Sequence, residues 1–261
     1  MKSIFVIASE LSVITGHNKY EEPSKVIDKI LNRNKIAKRY IPKSKIEEQL
    51  LTLDKTNLEF IKTELKLDTT ATLKQIEDMI KQQILYKALN ENISEDESKK
   101  KTNDVLKSMP VLNKCLESSV EQDLRMRRGN IKENSNLNKT QTKQNIVIEK
   151  RNSQMYEKQL YIDPDRIFSI IIRGKCDGEI KDECIVETKN RRNKLFNAIP
   201  DYEKVQLNAY MFMTGKEKAL HIECYNEEQN SVEYDFDKLF WEDCLDKVID
   251  FTNTHIVCHI K

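Results

Sequence analysis

The hydrophobic period changes once along the chain, near Gln144, and that change limits the fold more than any other feature. Before it, apolar residues recur three and four apart, as in Val26, Ile27, Ile30 and Leu31 and again in Leu73, Ile76, Ile80, Ile84 and Leu85. That is the spacing of helices that bury one stripe. Thr70 to Thr72 offer N-caps for the second of these. The strongly polar stretch 90–102 reads as an exposed loop or helix edge, with helical stretches expected at 103–127, broken near Pro110, and at 130–140. After Gln144 short β-branched runs take over, at 146–148, 159–162, 167–173, 184–188, 220–225 and 232–236, which is strand composition. Between them 202–214 is helical in pattern and closed by Gly215, a C-cap residue, and a final amphipathic helix fits 237–252. Strands that come late and are flanked by helices predict an α+β (or α/β) fold, a central mixed β-sheet flanked by helices behind a helical N-terminal half. There is no internal repeat and no clean linker, so the expectation is a single domain over 1–261, mainly helical over 1–140 and sheet core with C-terminal helix over 141–261.

A chain of 261 residues that is 38% hydrophobic can bury a real core. No apolar run approaches the roughly 18 residues that cross a bilayer, so no membrane span is expected. The six cysteines include no CxxC pair, and the N-terminal MKSIFVIASELS lacks the charge and apolar length of a signal peptide. Reduced thiols in an intracellular protein are therefore expected, in the cytoplasm, or in the host-cell cytoplasm if the chain is viral. A net charge of +1 hides an uneven distribution. Eight basic residues against Glu133 and Glu149 lie between Arg125 and Arg151, and Lys189, Arg191, Arg192 and Lys194 form a second basic cluster, whereas the stretch from Glu223 to Asp250 is strongly acidic. A polyanion would be drawn to the first two regions and repelled by the third.

The segment from Arg173 to Arg192, RGKCDGEIKDECIVETKNRR, carries the chemistry. Asp177 and Gly178 end one apolar strand, a polar turn follows, and Cys184 to Lys189 make the next strand. Alternation along a strand puts Glu187 and Lys189 on one face, and a hairpin returns Glu187 to Asp177. Two carboxylates converging beside a sheet are costly unless they bind a cation, and a hard divalent ion such as Mg²⁺ relieves that repulsion. Just downstream, Gln206 and Tyr210 lie four apart on the predicted helix, hence on one face. The segment Asp163-Pro164-Asp165 spells a literal PD upstream of the ExK strand, but a strand intervenes between Asp165 and that strand, and Asp177 is the better placed acid. The four histidines lack zinc-ligand spacing, so no zinc is expected, and Cys224, Cys244 and Cys258 are too widely spaced for an Fe–S cluster.

The order of a strand-end Asp, an ExK strand and a QxxxY helix resembles the PD-(D/E)xK nuclease superfamily in its QxxxY branch, with the restriction-endonuclease-like core of that superfamily. Two further segments narrow the resemblance. Residues 8–26, ASELSVITGHNKYEEPSKV, are similar to the opening AS…G…NxY signature of phage lambda-type exonucleases, the YqaJ-like viral recombinase family, and RGNIKENSNLN at 128–138 is similar to its early helix, with Gly129 four residues before Glu133. Between these, 28–126 matches only as generic helix. Family members usually carry an Arg before the first AS and often Ser-Pro before the metal-binding Asp; here MKSIFVI and Lys175-Cys176 stand in those places.

The resemblance implies a metal-dependent deoxyribonuclease, a 5′-to-3′ exonuclease on double-stranded DNA ends serving recombination, repair or viral replication. The alternatives are a nuclease of the same fold that cuts flaps, single strands or RNA, and an inactive scaffold that binds DNA ends. It further implies that Glu133, Asp177, Glu187 and the main-chain carbonyl of Thr188 converge on one or two Mg²⁺, replaceable by Mn²⁺. Lys189 would position or help deprotonate the attacking water, and Gln206 and Tyr210 would fix its geometry. Ser9 would meet the terminal phosphate, and Arg128, Arg191, Arg192 and Lys194 the DNA backbone. Partners by the same resemblance are duplex ends and a single-strand annealing protein, in an assembly for which a homotrimer has family precedent.

Overall fold

In the computed structural model, which describes residues 1–89 and 93–260, the chain opens on a strand that periodicity did not reveal, β1 (Lys2–Ile7). Its Ile4 and Val6 point into the core. Four consecutive apolar residues, Ile4 to Ile7, do not distinguish strand from helix, and the partner of β1 lies far along the chain. A 3₁₀ turn, Ala8–Glu10, and a single helical turn, α1 (Leu11–Ile14), follow at once. Helix α2 (Pro23–Arg33) begins with Pro at its first position, where the missing N–H costs nothing. Arg33 reaches back to Glu10 in an ion pair of 2.5 Å and so ties α2 to the end of β1.

Three helices then build a second, wholly helical core: α3 (Lys45–Leu50), α4 (Lys55–Glu64) and α5 (Leu73–Ile80). Ser44, Asp54 and Thr72 cap them through side-chain oxygens. Helix α5 runs through a π-helical turn, Lys81–Leu85, into α6 (Tyr86–Ala88). Of the two readings of 90–102, exposed loop or helix edge, the structure takes the helical one from Glu95 onward: α7 (Glu95–Lys107) is capped by Ser94 and carries three acids in its first turn, which complement the helix dipole. Asn90 to Asn92 lie outside the described residues.

The break expected near Pro110 is present: α7 ends at Lys107, and Pro110 starts the next helix. Helix α8 (Pro110–Gln144) is 35 residues long and continues through Gly129, where a break was expected. A mid-helix Gly costs about 1 kcal/mol, and burial on both sides of it outweighs that. Leu112, Leu116, Val120 and Leu124 pack into the helical core with Ile61, Ile76 and Ile80, whereas Leu137 packs with Val186, Leu220 and Ile222 under the sheet. The helix ends on Asn145, left-handed at φ 54°.

The strands form two mixed sheets rather than the single central sheet expected. The first has the order β1–β3–β2, with β2 (Tyr156–Ile162) antiparallel and β1 parallel to β3 (Phe168–Gly174). The second has the order β4–β5–β6–β7, where β4 (Gly178–Ile180) and β5 (Cys184–Asn190) form the predicted hairpin, β6 (Lys218–Tyr225) runs parallel to β5, and β7 (Glu228–Asp235) returns antiparallel. The run 146–148 is not a strand; only Glu149 bridges, to Glu179. Helix α9 (Asp201–Thr214), closed by Gly215 at φ 73° as expected, crosses over between β5 and β6. Helix α10 (Lys238–His255), capped by Asp237, packs through Trp241, Cys244 and Val248 into the core shared with α9 and the first sheet. No described helix is long and apolar enough to cross a membrane.

Candidate active site

The chain leaves the first sheet at Gly174 and enters the second at Gly178, and both glycines are there because nothing larger fits. A Cβ on Gly174 would lie 2.7 Å from Tyr210 Cε1 and 2.9 Å from Ala8 Cβ, and one on Gly178 would collide with Ile148. Those contacts bring the Ala8–Glu10 turn, helix α9 and the strand junction together at one point. Asp177 sits at that junction. With Gly178 opposite Val186 in the hairpin register, Asp177 falls beside Glu187, and its Oδ2 accepts the Thr188 N–H at 2.7 Å.

On β5 the alternation holds as expected. Lys189 Nζ donates to Glu187 Oε1 at 2.6 Å and to Gln206 Oε1 at 3.0 Å, and Gln206 Nε2 donates to the Tyr210 hydroxyl at 2.9 Å. Glu187, Lys189, Gln206 and Tyr210 are thus one hydrogen-bonded chain linking β5 to α9. Glu187 and Tyr210 are buried, and Glu187 Oε2 and Thr188 Oγ1 are buried without a hydrogen-bond partner. Glu133 comes in from α8, half-buried, with Asn152 bound to its Oε1.

The charges at this junction are out of balance. Burial, then Glu187, then Glu133 push the Asp177 carboxyl up to about 8. Burial and the Glu187 charge raise Glu133 as well, against the pull of Lys189. Burial alone would lower the Lys189 ammonium, but Glu187, Glu203 and Asp177 around it outweigh that and raise it. Lys189 therefore keeps its proton at neutral pH, which suits it to hold and orient a water or phosphate oxygen rather than to remove a proton. Burial and the neighbouring Glu187 lift the Tyr210 hydroxyl well above its ordinary range, so it too stays protonated. Cys176 is inert for the same reasons, its thiol pushed up to about 12.

Glu133, Asp177 and Glu187 face one space but do not close on a single point, contrary to expectation. The described residues contain two sets of three candidate ligands lying within 4.8 Å of one another, His17–Asp243–Cys244 and Glu203–His221–Glu223, and neither includes these carboxylates. Each has a partner of its own, in Asn152, the Thr188 N–H and Lys189, and mutual repulsion keeps like charges apart. The donor set nevertheless fits a hard divalent cation. It is all oxygen, it carries more negative charge than Lys189 offsets, and it includes the unpartnered Glu187 Oε2.

The predicted DNA-contacting residues divide. Ser9 is exposed, in the turn beside Gly174, and Lys194 is exposed past the end of β5. Arg192 is half-buried and pairs with Glu121 at 2.5 Å. Arg128 and Arg191 are corrections. Arg128, 2% exposed, donates to Glu95 at 2.8 Å and to the Ile93 carbonyl, so it joins α8 to the start of α7. Arg191, 7% exposed, donates to both oxygens of Glu203 at 2.6 and 2.8 Å and to Glu223 Oε1 at 2.7 Å. Glu203 also binds His221 at 2.8 Å, and Glu223 Oε2 accepts the N–H groups of Phe196 and Asn197. The guanidinium is thus the cation of the Glu203–His221–Glu223 set. This clamp, which the sequence did not reveal, locks β5, β6, the first turn of α9 and the 191–200 loop together. The Asp163-Pro164-Asp165 segment is a turn instead: Asp163 accepts the Ile167 N–H, and Asp165 is exposed.

No family model matches the chain, and no curated protein is similar to it. Among solved structures it is similar to the alkaline exonuclease LHK-Exo from Laribacter hongkongensis, at 13% identity over 61% of this chain and 82% of that one with a TM-score of 0.42. The same enzyme in complex with dAMP matches at 10% identity over 82% and 93% of the two chains with a TM-score of 0.43. A phage-related exonuclease from Haemophilus somnus 129PT matches at 12% identity over 68% and 94% with a TM-score of 0.38. Asp177 at the strand junction, the Glu187–Lys189 strand and the Gln206–Tyr210 helix face come together in one place on a mixed α/β fold.

Proposed function

We propose that the chain is a metal-dependent nuclease that degrades DNA from duplex ends, in the 5′-to-3′ direction that its motif resemblance to lambda-type exonucleases implies. The supporting observation is the continuous chain Glu187–Lys189–Gln206–Tyr210 with Asp177 at its head. The reading assigns Mg²⁺ or Mn²⁺ to Glu133, Asp177, Glu187 and the Thr188 carbonyl; when bound, the ion neutralises phosphate charge and makes water more acidic. Lys189, held between Glu187 and Gln206 in a single orientation, directs its one remaining N–H donor at the attacking water or a non-bridging phosphate oxygen. Gln206 sets the position of that ammonium, and the Tyr210 hydroxyl fixes which way the Gln206 amide faces. Preorganised donors of this kind need no rearrangement as charge develops. Ser9, at the exposed turn beside the site, is assigned to the terminal phosphate. A role in recombination, a single-strand annealing partner and a trimeric assembly follow from the same resemblance.

Cleavage of end-labelled duplex, single-stranded DNA and RNA with Mg²⁺ or EDTA tests the proposal, with Asp177→Ala and Asp165→Ala as paired variants. Duplex-end cleavage that needs Mg²⁺, vanishes in Asp177→Ala and persists in Asp165→Ala is expected. Normal cleavage by Asp177→Ala would show that the site has been placed on the wrong residue.

A further inference from the structure

The nuclease mechanism uses neither of the two sets of three candidate ligands, and Arg191 already supplies the cation of one, bridging Glu203 and Glu223. The other set brings a ring nitrogen of His17, a carboxylate oxygen of Asp243 and Cys244 Sγ within 4.8 Å of one another. His17 lies in the connection from α1 to α2, just after Gly16 at φ 75°, and Asp243 and Cys244 lie on α10. Packing of α1 on α10 joins them, and the His17 ring stands edge-on to Phe240 with centroids 5.1 Å apart. Cys244 is fully buried at the rim of the core, whereas His17 is half-buried and Asp243 exposed, so the set opens to solvent on one side.

Hydrogen bonding fixes which nitrogen His17 offers. Thr15 has one hydroxyl proton, and its Oγ1 donates it to the Leu11 carbonyl at 2.8 Å. The same oxygen lies 2.9 Å from His17 Nδ1 and is left to accept. Nδ1 therefore carries the ring proton and Nε2 keeps its lone pair, the arrangement by which a neighbouring oxygen orients a metal-ligating histidine. Asp243 is only weakly committed. Its Oδ2 accepts Lys247 Nζ at 2.7 Å, but the two side chains are 55% and 43% exposed, and an ion pair so open to water is readily exchanged.

We propose that His17 Nε2, Cys244 Sγ and an Asp243 oxygen hold a zinc ion, separate from the candidate active site, with water in the fourth position. Nitrogen, sulfur and oxygen together suit this borderline-soft cation, whereas the all-oxygen set at Asp177 suits Mg²⁺. A tetrahedral ion with ligands at about 2.0–2.3 Å holds them about 3.3–3.8 Å apart, so a side-chain adjustment of about 1 Å closes the set. Binding releases the thiol proton to solvent and leaves the thiolate on the ion. The ion fastens the connection after α1 to α10, and α1 begins one residue past the turn that carries Ser9. Histidine spacing gave no sign of it, because the ligands come from opposite ends of the chain.

Zinc content after loading with Zn²⁺ and dialysis, and the absorption spectrum with Co²⁺ in its place, measure this for the whole chain. One zinc per chain is expected, together with a thiolate-to-cobalt charge-transfer band. Both should persist in Asp177→Ala and Cys258→Ser, and both should disappear in His17→Gln and Cys244→Ser. Asp243→Asn should weaken Zn²⁺ binding about ten-fold or more. Zn²⁺ at 100 times its Kd should raise the Tm of the unmodified chain by about 5 °C or more and leave that of His17→Gln unchanged. Circular dichroism checks each fold, and His17→Gln and Asp243→Asn alter side chains that reach the surface, so they carry the test even where Cys244→Ser does not fold. No retained zinc in the unmodified chain, or full retention in His17→Gln, would overturn the proposal. So would loss of zinc in Asp177→Ala, which would put the ion among the active-site carboxylates, or loss of the cobalt band in Cys258→Ser, which would put it on the exposed thiol.

Discussion

Replacing Arg191 with Ala would take a guanidinium from between two buried carboxylates, and the cost can be worked from the clamp itself. Burial would raise the Glu203 carboxyl, but hydrogen bonds from Arg191 and His221 and the charge of Arg191 hold it down at about 2, against an ordinary 4.5. The gap between those values, at about 1.4 kcal/mol per pH unit, is about 3 kcal/mol of folding stability. Breaking a buried ion pair by removing one partner costs about 3–5 kcal/mol, so the two magnitudes agree. Because the folded value lies below the unfolded one, this contribution is fully present above about pH 4.5 and is lost as pH falls towards about 2. Urea unfolding of the unmodified chain and Arg191→Ala, compared at equal m, should therefore show a gap of about 3 kcal/mol at pH 7 that narrows on acidification. A phosphate-contacting Arg behaves differently: its removal changes stability by about 0.5 kcal/mol or less and lowers the salt slope of DNA binding by about one. That second pattern in Arg191→Ala would refute the clamp and restore Arg191 to the DNA interface.

Lys189→Ala should lower kcat by orders of magnitude with little change in Kd, as for an interaction made mainly in the transition state, whereas Lys194→Ala should weaken binding and its salt dependence while sparing single-turnover cleavage at saturating DNA. Gly174→Ala should force Tyr210 and Ala8 apart, destabilising the fold by about 1–3 kcal/mol in a thermal melt and cutting cleavage more than ten-fold. Among the thiols, Cys258 is exposed, while burial pushes Cys184 up to about 11 and Cys244 to about 12. Maleimide labelling of the native chain, read by peptide mass, should therefore modify Cys258 quickly and the other two only on unfolding.

The center of the site was legible because its parts are neighbours in sequence. Asp177, Glu187, Lys189, Gln206 and Tyr210 occupy one strand–turn–strand–helix stretch, and the periods of strand and helix decide which of them share a face. Glu133 was different: nothing in its local pattern sets it apart from any helical Glu, and only the motif resemblance drew it in. Arg128 and Arg191 were misread for the opposite reason. Each sits in a basic run, and the acids that pair with it, Glu95 for the first and Glu203 with Glu223 for the second, lie outside that run, so a count of charge within the run leaves them out. The division of the seven described strands into two sheets was likewise hidden, since strand composition does not name a strand's neighbour.

Helix α8 also acts as a ruler. Its first half is seated among α3, α4 and α5, and its second half presents Glu133 to the strand junction, with no loop between them to absorb a change of length. One residue added between Leu124 and Glu133 would turn the carboxylate by about 100° and advance it by about 1.5 Å, carrying it off the junction while every contact of the helical core stayed in place. Two added turns would restore the direction but not the depth. Through this stretch the chain can change residues but not their number.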